Sequence, residues 1–289
     1  MTSIVLVHGI FNYVRKATPD EAAARRVSDC RPRLAESLSK WAVDVPDMTM
    51  AYYADLLRRN APGEPQSFQQ PEGFDDLSAA ERSEVAAWLA AAGADMPADP
   101  QNVGLAPLRQ MLGWLVDERG GVLTAAVREQ TIGRLERTLV ANLREVEAYT
   151  TWPERRRLVR ERVSGVIRRE KPAVVIAHSL GAYVTYETLH AYPDLEVDLL
   201  VTVGSPLRVP ALARRLEPAL RAGRGAKPSG LARWVNIAGA GDLVAVPPKL
   251  GRVFPVDDDA VCDTGLGVHG FGGYLANGLL AAAITPYVT

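Results

Sequence analysis

Three residue types that together make a nucleophile stand far apart in this chain: Ser179, Asp242 and His269. Ser179 sits in Ala177-His178-Ser179-Leu180-Gly181, behind an apolar run over 173–177 that suits a buried parallel strand. Residues 182–190 behind it can run as a helix. A serine pinned between strand and helix, with small residues two before and two after, is a nucleophile-elbow pattern. The turn is tight, so large flanking side chains would strike neighbouring backbone.

A serine hydroxyl is a poor nucleophile until a base takes its proton and an acid orients that base. The chain has four histidines. His8 precedes Gly9 in a loop that follows an apolar strand, and its better role is support of that loop. His178 adjoins the serine, so its side chain should leave the turn in another direction. His190 lies about 16 Å further along the following helix, which is too far. His269, in a glycine-rich loop late in the chain, remains as the base. Asp242 is the favoured acid, because a strand runs through Trp234 into Gly239-Ala240-Gly241 and then the carboxylate. Asp257, Asp258, Asp259 and Asp263 are alternatives, clustered in what reads as a charged loop. A tetrahedral oxyanion needs fixed donors: the Leu180 N–H at a helix start is one, and the N–H of Ile10 or Phe11 is the other.

These residues need a scaffold that gathers strand ends. Ser3 to Val7 reads as a strand, Pro19 to Trp41 as a helix broken near Pro32, and Met48 to Tyr53 as a second strand. That β-α-β start implies a parallel sheet. Residues 60–76 read as a loop, and helices follow over Ser78–Ala92, with a Ser78/Glu81 capping box, Leu108–Glu118 and Leu123–Tyr149. No strand pattern appears between about 54 and 171. The expected architecture is one α/β domain over 1–289: a mostly parallel sheet with helices on both faces, and a helical cap or lid insertion at 54–153. Beyond the elbow, Val197 to Val203 and Trp234 to Ala238 read as strands and Ala211 to Ala222 as a helix. Arg252 to Val256 reads as a short strand, and Leu275 to Ile284 as a closing helix.

The 289 residues carry a net charge of −1, with 47% hydrophobic and 23% charged residues, an ordinary globular composition. That balance gives no pull toward nucleic acid or an anionic membrane. The arginine-rich stretch at 154–171 has an apolar stripe through Leu158, Val159, Val163, Val166 and Ile167, so it reads as a solvated amphipathic helix. Cys30 and Cys262 are too few for a disulfide framework. No signal-peptide pattern opens the chain and no stretch of about 18 apolar residues occurs, so the expectation is a cytoplasmic protein without a transmembrane segment. Transient contact with a membrane surface is compatible with that.

Val7-His8-Gly9-Ile10, Ala177 to Gly181, Val203-Gly204-Ser205-Pro206, Asp242-Leu243-Val244 with Pro247, and His269 with Tyr274 together resemble the α/β-hydrolase superfamily. Within it the chain looks like small bacterial lipases and inositol-deacylase-like acylhydrolases, with the family's order of Ser179, Asp242 and His269. The resemblance implies a serine esterase acting on a small-molecule or lipid ester through an acyl-enzyme, with no cofactor and no metal. The chain departs from the family in one respect: it starts at the strand bearing His8-Gly9, so the antiparallel strands that often begin the fold are expected to be absent. Trp88, Leu89, Leu112, Trp114 and Leu115 are candidates to receive an acyl chain, or else to pack the cap onto the domain. A thioesterase or amidase would use the same residues, and an interaction module could keep the fold without chemistry.

Overall fold

A computed structural model describes residues 3–58, 73–100, 103–120, 123–263 and 269–289. Six strands form one sheet: β1 (Ser3–Val7), β2 (Asp47–Ala51), β3 (Val174–His178), β4 (Val197–Val203), β5 (Leu231–Gly239) and β6 (Asp258–Cys262). Their order is β2-β1-β3-β4-β5-β6 and every pairing is parallel. The chain is therefore an α/β protein, as its strand–helix alternation predicts.

Ten α-helices surround the sheet among the described residues. They are α1 (Pro19–Ser39), α2 (Ala54–Leu57), α3 (Ala79–Ala91), α4 (Leu105–Gly120), α5 (Ala125–Thr151) and α6 (Pro153–Glu170), then α7 (Leu180–Ala191), α8 (Pro210–Ala213), α9 (Phe271–Leu275) and α10 (Gly278–Val288). Side chains alternate across a strand, and the apolar runs serve both faces. Ile4 and Leu6 of β1, with Val174 and Ile176 of β3, pack with α1, α9 and α10. Val5, Val7, Val175 and Ala177 point the other way, into a core shared with α6 and α7. Both sheet faces are thus covered, and burial against the two helical layers is the main stabilising term.

The chain passes from β1 to β2 on one side and then crosses back to β3 on the other side of β1. Side by side at this switch point, the carboxyl ends of β1 and β3 open into the loops of Gly9 and Ser179, the place where open α/β sheets gather ligands. Between β2 and β3 no strand occurs among the described residues; α2 to α6 fill that stretch. Trp88 of α3 ties it down, its ring N–H donating to the Leu243 carbonyl at 2.7 Å.

Several sequence expectations shift. Helix α1 runs straight through Pro32 rather than breaking there. The lost backbone bond is offset by Ala22, Cys30, Leu34 and Leu38 packed into the core, and by Ser37 Oγ donating to the Leu275 carbonyl at 2.7 Å. The helix expected over Ala211–Ala222 shrinks to α8, since Pro218 has no N–H to give and disfavours helical backbone at Glu217. Leu250–Arg252 is a 3-10 turn, and the strand lies later, at β6, with Asp258 and Asp259 on the sheet's edge. The closing helix is two pieces, α9 and α10, divided at Asn277, whose side chain caps the second. Cys30 and Cys262 are both buried and free. No described helix is long and apolar enough to cross a membrane.

Candidate active site

Ser179 links β3 to α7 at φ 55 and ψ −126, backbone that a residue with a Cβ adopts only under strain. Its N–H donates to the Val203 carbonyl at 3.1 Å, which anchors the turn to β4. Gly181 is needed here, because a Cβ would lie 2.5 Å from the carbonyl oxygens of Val7 and His8. At Gly9 a Cβ would stand 2.6 Å from the Ser179 Cβ. The loop after β1 therefore lies directly against the serine. Both constraints come from backbone approach, which the small residues in the sequence foreshadow.

His269 Nε2 is 2.8 Å from Ser179 Oγ, and its Nδ1 is 2.7 Å from Asp242 Oδ2. In the arrangement that uses both, Nδ1–H donates to the carboxylate and Nε2 accepts from the hydroxyl. Asp242 is fully buried, yet well supplied with donors. The Tyr274 hydroxyl donates to Oδ2 at 2.6 Å, and the Val244 and Ala245 N–H groups donate to Oδ1 at 2.8 and 3.4 Å. Burial alone would raise this carboxyl, but the His269 imidazole and these donors hold it below the usual carboxylate range. Tyr274 in turn accepts from the Gly239 N–H at 2.8 Å, so the acid is braced from both directions.

His8 serves the neighbouring loop. Its Nδ1 lies 2.8 Å from the Gly9 carbonyl, and its Nε2 accepts from the Tyr53 N–H at 3.0 Å. Tyr53 stacks on the ring at 4.1 Å and donates its hydroxyl to the His8 carbonyl at 2.6 Å. Burial drives the His8 pKa down to about 4, so the ring is neutral at ordinary pH. Asn12 Nδ2 closes the loop by donating to the Gly9 and Ile10 carbonyls at 3.0 and 2.8 Å. Ile10 and Phe11 follow within this clamp, and Phe11 takes a positive φ of 60. Leu180 opens α7, where first-turn N–H groups have no intrahelical acceptor.

Structure and sequence agree that the His178 side chain leaves the serine, but it does not go idle. It stacks on Phe271 at 4.9 Å, and its Nε2 lies 2.8 Å from the His269 carbonyl, fixing the backbone that carries the imidazole. Burial, with the nearby His269, lowers the His178 pKa to about 3. His190 stays apart, its Nε2 3.2 Å from the Ala226 carbonyl. Asp257 and Asp258 pair with Lys227 and Arg233, and Asp259 accepts from Asn236 and the Gly251 N–H.

Two residues near Ser179 escaped the sequence reading, and both come from α5. Asn142, fully buried, places Oδ1 3.4 Å from Ser179 Oγ while its Nδ2 donates to the Thr138 carbonyl at 2.9 Å. Glu145 accepts the Phe11 N–H at 3.2 Å. Asn142 did leave a signal, since it falls in the helix's buried stripe with Leu135, Leu139, Val146 and Tyr149. Of the five candidates for an acyl pocket, Trp88, Leu89, Leu112 and Leu115 are packed in the core, and Trp114 is 48% exposed.

Sheet and site make this an α/β protein with a hydrogen-bonded serine, histidine and aspartate at the carboxyl edge of a parallel sheet. No family model matches the chain. No curated protein matches it either. Among solved structures it is similar to the esterase domain of a Rhodothermus marinus protein, at 17% identity over 45% of this chain and 67% of that one, with a TM-score of 0.32. So distant a likeness adds nothing to the geometry.

Proposed function

We propose that the chain is a serine hydrolase that cleaves a carboxylic ester through an acyl-enzyme. The observation that carries this is the unbroken set of short contacts from Ser179 Oγ through His269 to Asp242, on a strained turn beside a clamped loop. Ser179 Oγ attacks the ester carbonyl while His269 Nε2 takes its proton. Asp242 keeps Nδ1 protonated and stabilises the imidazolium without taking the proton itself. The oxyanion is held by the Leu180 N–H and by Ile10 or Phe11 N–H. His269 then protonates the departing alkoxide, and a water activated by the same nitrogen releases the acid and restores Ser179.

Residues 54–153 act in this reading as a helical cap, supported by the approach of α5 to both Ser179 and Phe11. The apolar residues of that stretch support packing better than acyl binding, because four of five candidates are already enclosed. An uncharged fluorophosphonate probe tests the reading. Wild type should label on one serine, and Ser179→Ala should not; equal labelling of the two would sink the proposal. A series of nitrophenyl esters of rising acyl length then reads the acyl pocket, and best turnover of the shortest would remove lipids as substrates.

A further inference from the structure

Ser179 has no exposed surface, so a substrate carbonyl reaches its Oγ only after a neighbouring group moves. The sheet side offers little freedom: Gly9, His178, His269 and Asp242 are each held by short hydrogen bonds or backbone contact. Among the described residues, α5 adds the other side-chain contacts to Ser179 and to its facing loop. Asn142 and Glu145 stand three positions apart, which puts them on one helix face. Asn142 touches the nucleophile, and Glu145 covers the Phe11 N–H, one of the two groups in that loop placed to hold an oxyanion. Phe11 itself is 48% exposed, and Glu145 is only half-buried, so a route to water is open to the carboxyl.

We infer that Glu145 is a pH-responsive gate on this site: its neutral carboxyl seats on the Phe11 N–H and closes the oxyanion loop, and its charged form departs to water and opens it. The gate rests on the serine-hydrolase reading for its consequence, though not for its existence. Its direction follows from linkage. Burial raises the seated Glu145 carboxyl to about 7, against the opposing pull of the Phe11 N–H and of Arg58. A carboxyl in open water titrates near 4.3, so the seated state binds the proton more tightly and protonation favours it. Raising the pH through about 7 therefore shifts the population toward the open loop.

The other charged and titratable groups around Glu145 do not reverse that sign. Arg58, just after α2, lies over the Tyr13 ring, and Tyr53 is held by His8 with its own ionisation pushed well up by burial. Arg26 of α1 donates to the Phe11 carbonyl at 3.4 Å, and His8 beneath the loop is neutral. Where α2 and α6 meet this helix, Asp55 pairs with Arg162; where α6 and α7 meet it, Tyr149, Glu187 and Arg156 satisfy one another. Arg144, on α5 itself, pairs with Glu81 of α3 and with Glu147, and at the far end Arg109 of α4 pairs with Asp75 and Glu136.

The test follows fluorophosphonate labelling rates of the full chain at about pH 6 and about pH 8.5, on either side of the seated carboxyl's titration. Glu145→Ala, with no gate, should label roughly tenfold faster than wild type at the lower pH and match it at the higher, a one-unit effect. Glu145→Gln, permanently neutral and of the same shape, should match wild type at the lower pH and fall roughly tenfold behind at the higher. Dividing by wild type cancels pH effects common to all three proteins. Both variants tracking wild type, or both slower throughout, would overturn the gate while leaving the hydrolase reading intact. Hydrogen exchange of the Phe11 amide separates the two claims. Its protection, corrected for intrinsic rate, should fall above about pH 7 in wild type and persist in Glu145→Gln. That pattern without any labelling would retain the gate and overturn the hydrolase; persistent protection in wild type would overturn the gate.

Discussion

Two regions meet at Ser179, and they hold it differently. The carboxyl edge of the sheet supplies Ser179, His269, Asp242 and the Gly9 loop, and its contacts are dense: 2.6 to 2.8 Å around Asp242, His269 and His178, with buried neutral histidines beneath. Helix α5 supplies two longer contacts, 3.2 Å from Glu145 and 3.4 Å from Asn142. The sheet edge is preorganised, which is what a site needs where charge develops during reaction. The helix is not. Under the proposed function, chemistry belongs to one side and access to the other, and each side can be broken separately.

The largest effects belong to the sheet edge. Ser179→Ala, His269→Ala and Asp242→Asn should each lower ester turnover by roughly 10⁴-fold or more, since such groups act as a unit. Double replacements should cost little beyond the worst single one. Stepwise, additive losses in kcat/KM would show that the three do not work together.

Next comes acid stability, where the two regions should respond with opposite sign. His8 and His178 have folded pKa values lowered to about 4 and about 3, chiefly by burial. The unfolded chain therefore takes up their protons first. Their contribution is complete above about pH 6.5 and is lost as pH falls toward 4, by up to about 3 kcal/mol each. Glu145 runs the other way: raised to about 7, it favours the folded contact at low pH and weakens it as pH rises through that value. Urea midpoints of wild type, His178→Gln and Glu145→Gln across this range check both signs. His178→Gln should flatten the acid limb, and an unchanged limb would mean that the ring is already protonated when folded.

Tyr274→Phe should come third. It removes a donor from Asp242 and strands the Gly239 N–H without its acceptor, a loss of about 1–3 kcal/mol in stability and roughly tenfold in turnover. Calorimetry and the pH profile of kcat/KM read the two losses separately. A stability loss with turnover and profile unchanged would make Tyr274 a brace for β5 only.

How far all this could be read from residues alone follows the same division. The meeting of Ser179, His269 and Asp242 was legible because chemistry restricts residue type, and a parallel sheet brings strand ends to one edge. Strand β4 was legible to the residue because all of it except Asp198 is buried and its largely apolar run is bounded by Glu196 and Gly204. Helix α5 was legible as an element through Val127, Ile132, Leu135, Leu139 and Leu143, yet its role was not. Periodicity tells which stripe is buried, not which strand end it will cover. Glu145 looks like any polar helix residue, and only its position against Phe11 gives it a partner. His178 was half legible: its departure from the turn follows from geometry, but its target lies 91 positions on.

Asn142 draws the boundary between the regions most finely, and its replacement should have the smallest effect. Its contact with Ser179 Oγ is long at 3.4 Å, and the hydroxyl already has the better acceptor in His269 Nε2 at 2.8 Å. A hydrogen bond beyond ordinary length contributes little. Asn142→Ala should therefore change the labelling rate of Ser179 by less than about threefold, while buried Nδ2 and Oδ1 groups disappear together at little net cost. Asn142→Asp is the sharper variant. It would place a second carboxyl beside the serine, raise the cost of the negative oxyanion, and slow turnover roughly tenfold at neutral pH with recovery on acidification. A large loss in Asn142→Ala with the fold intact would move this residue from the access side to the chemistry side, and the division between sheet edge and helix would have to be redrawn through α5 itself.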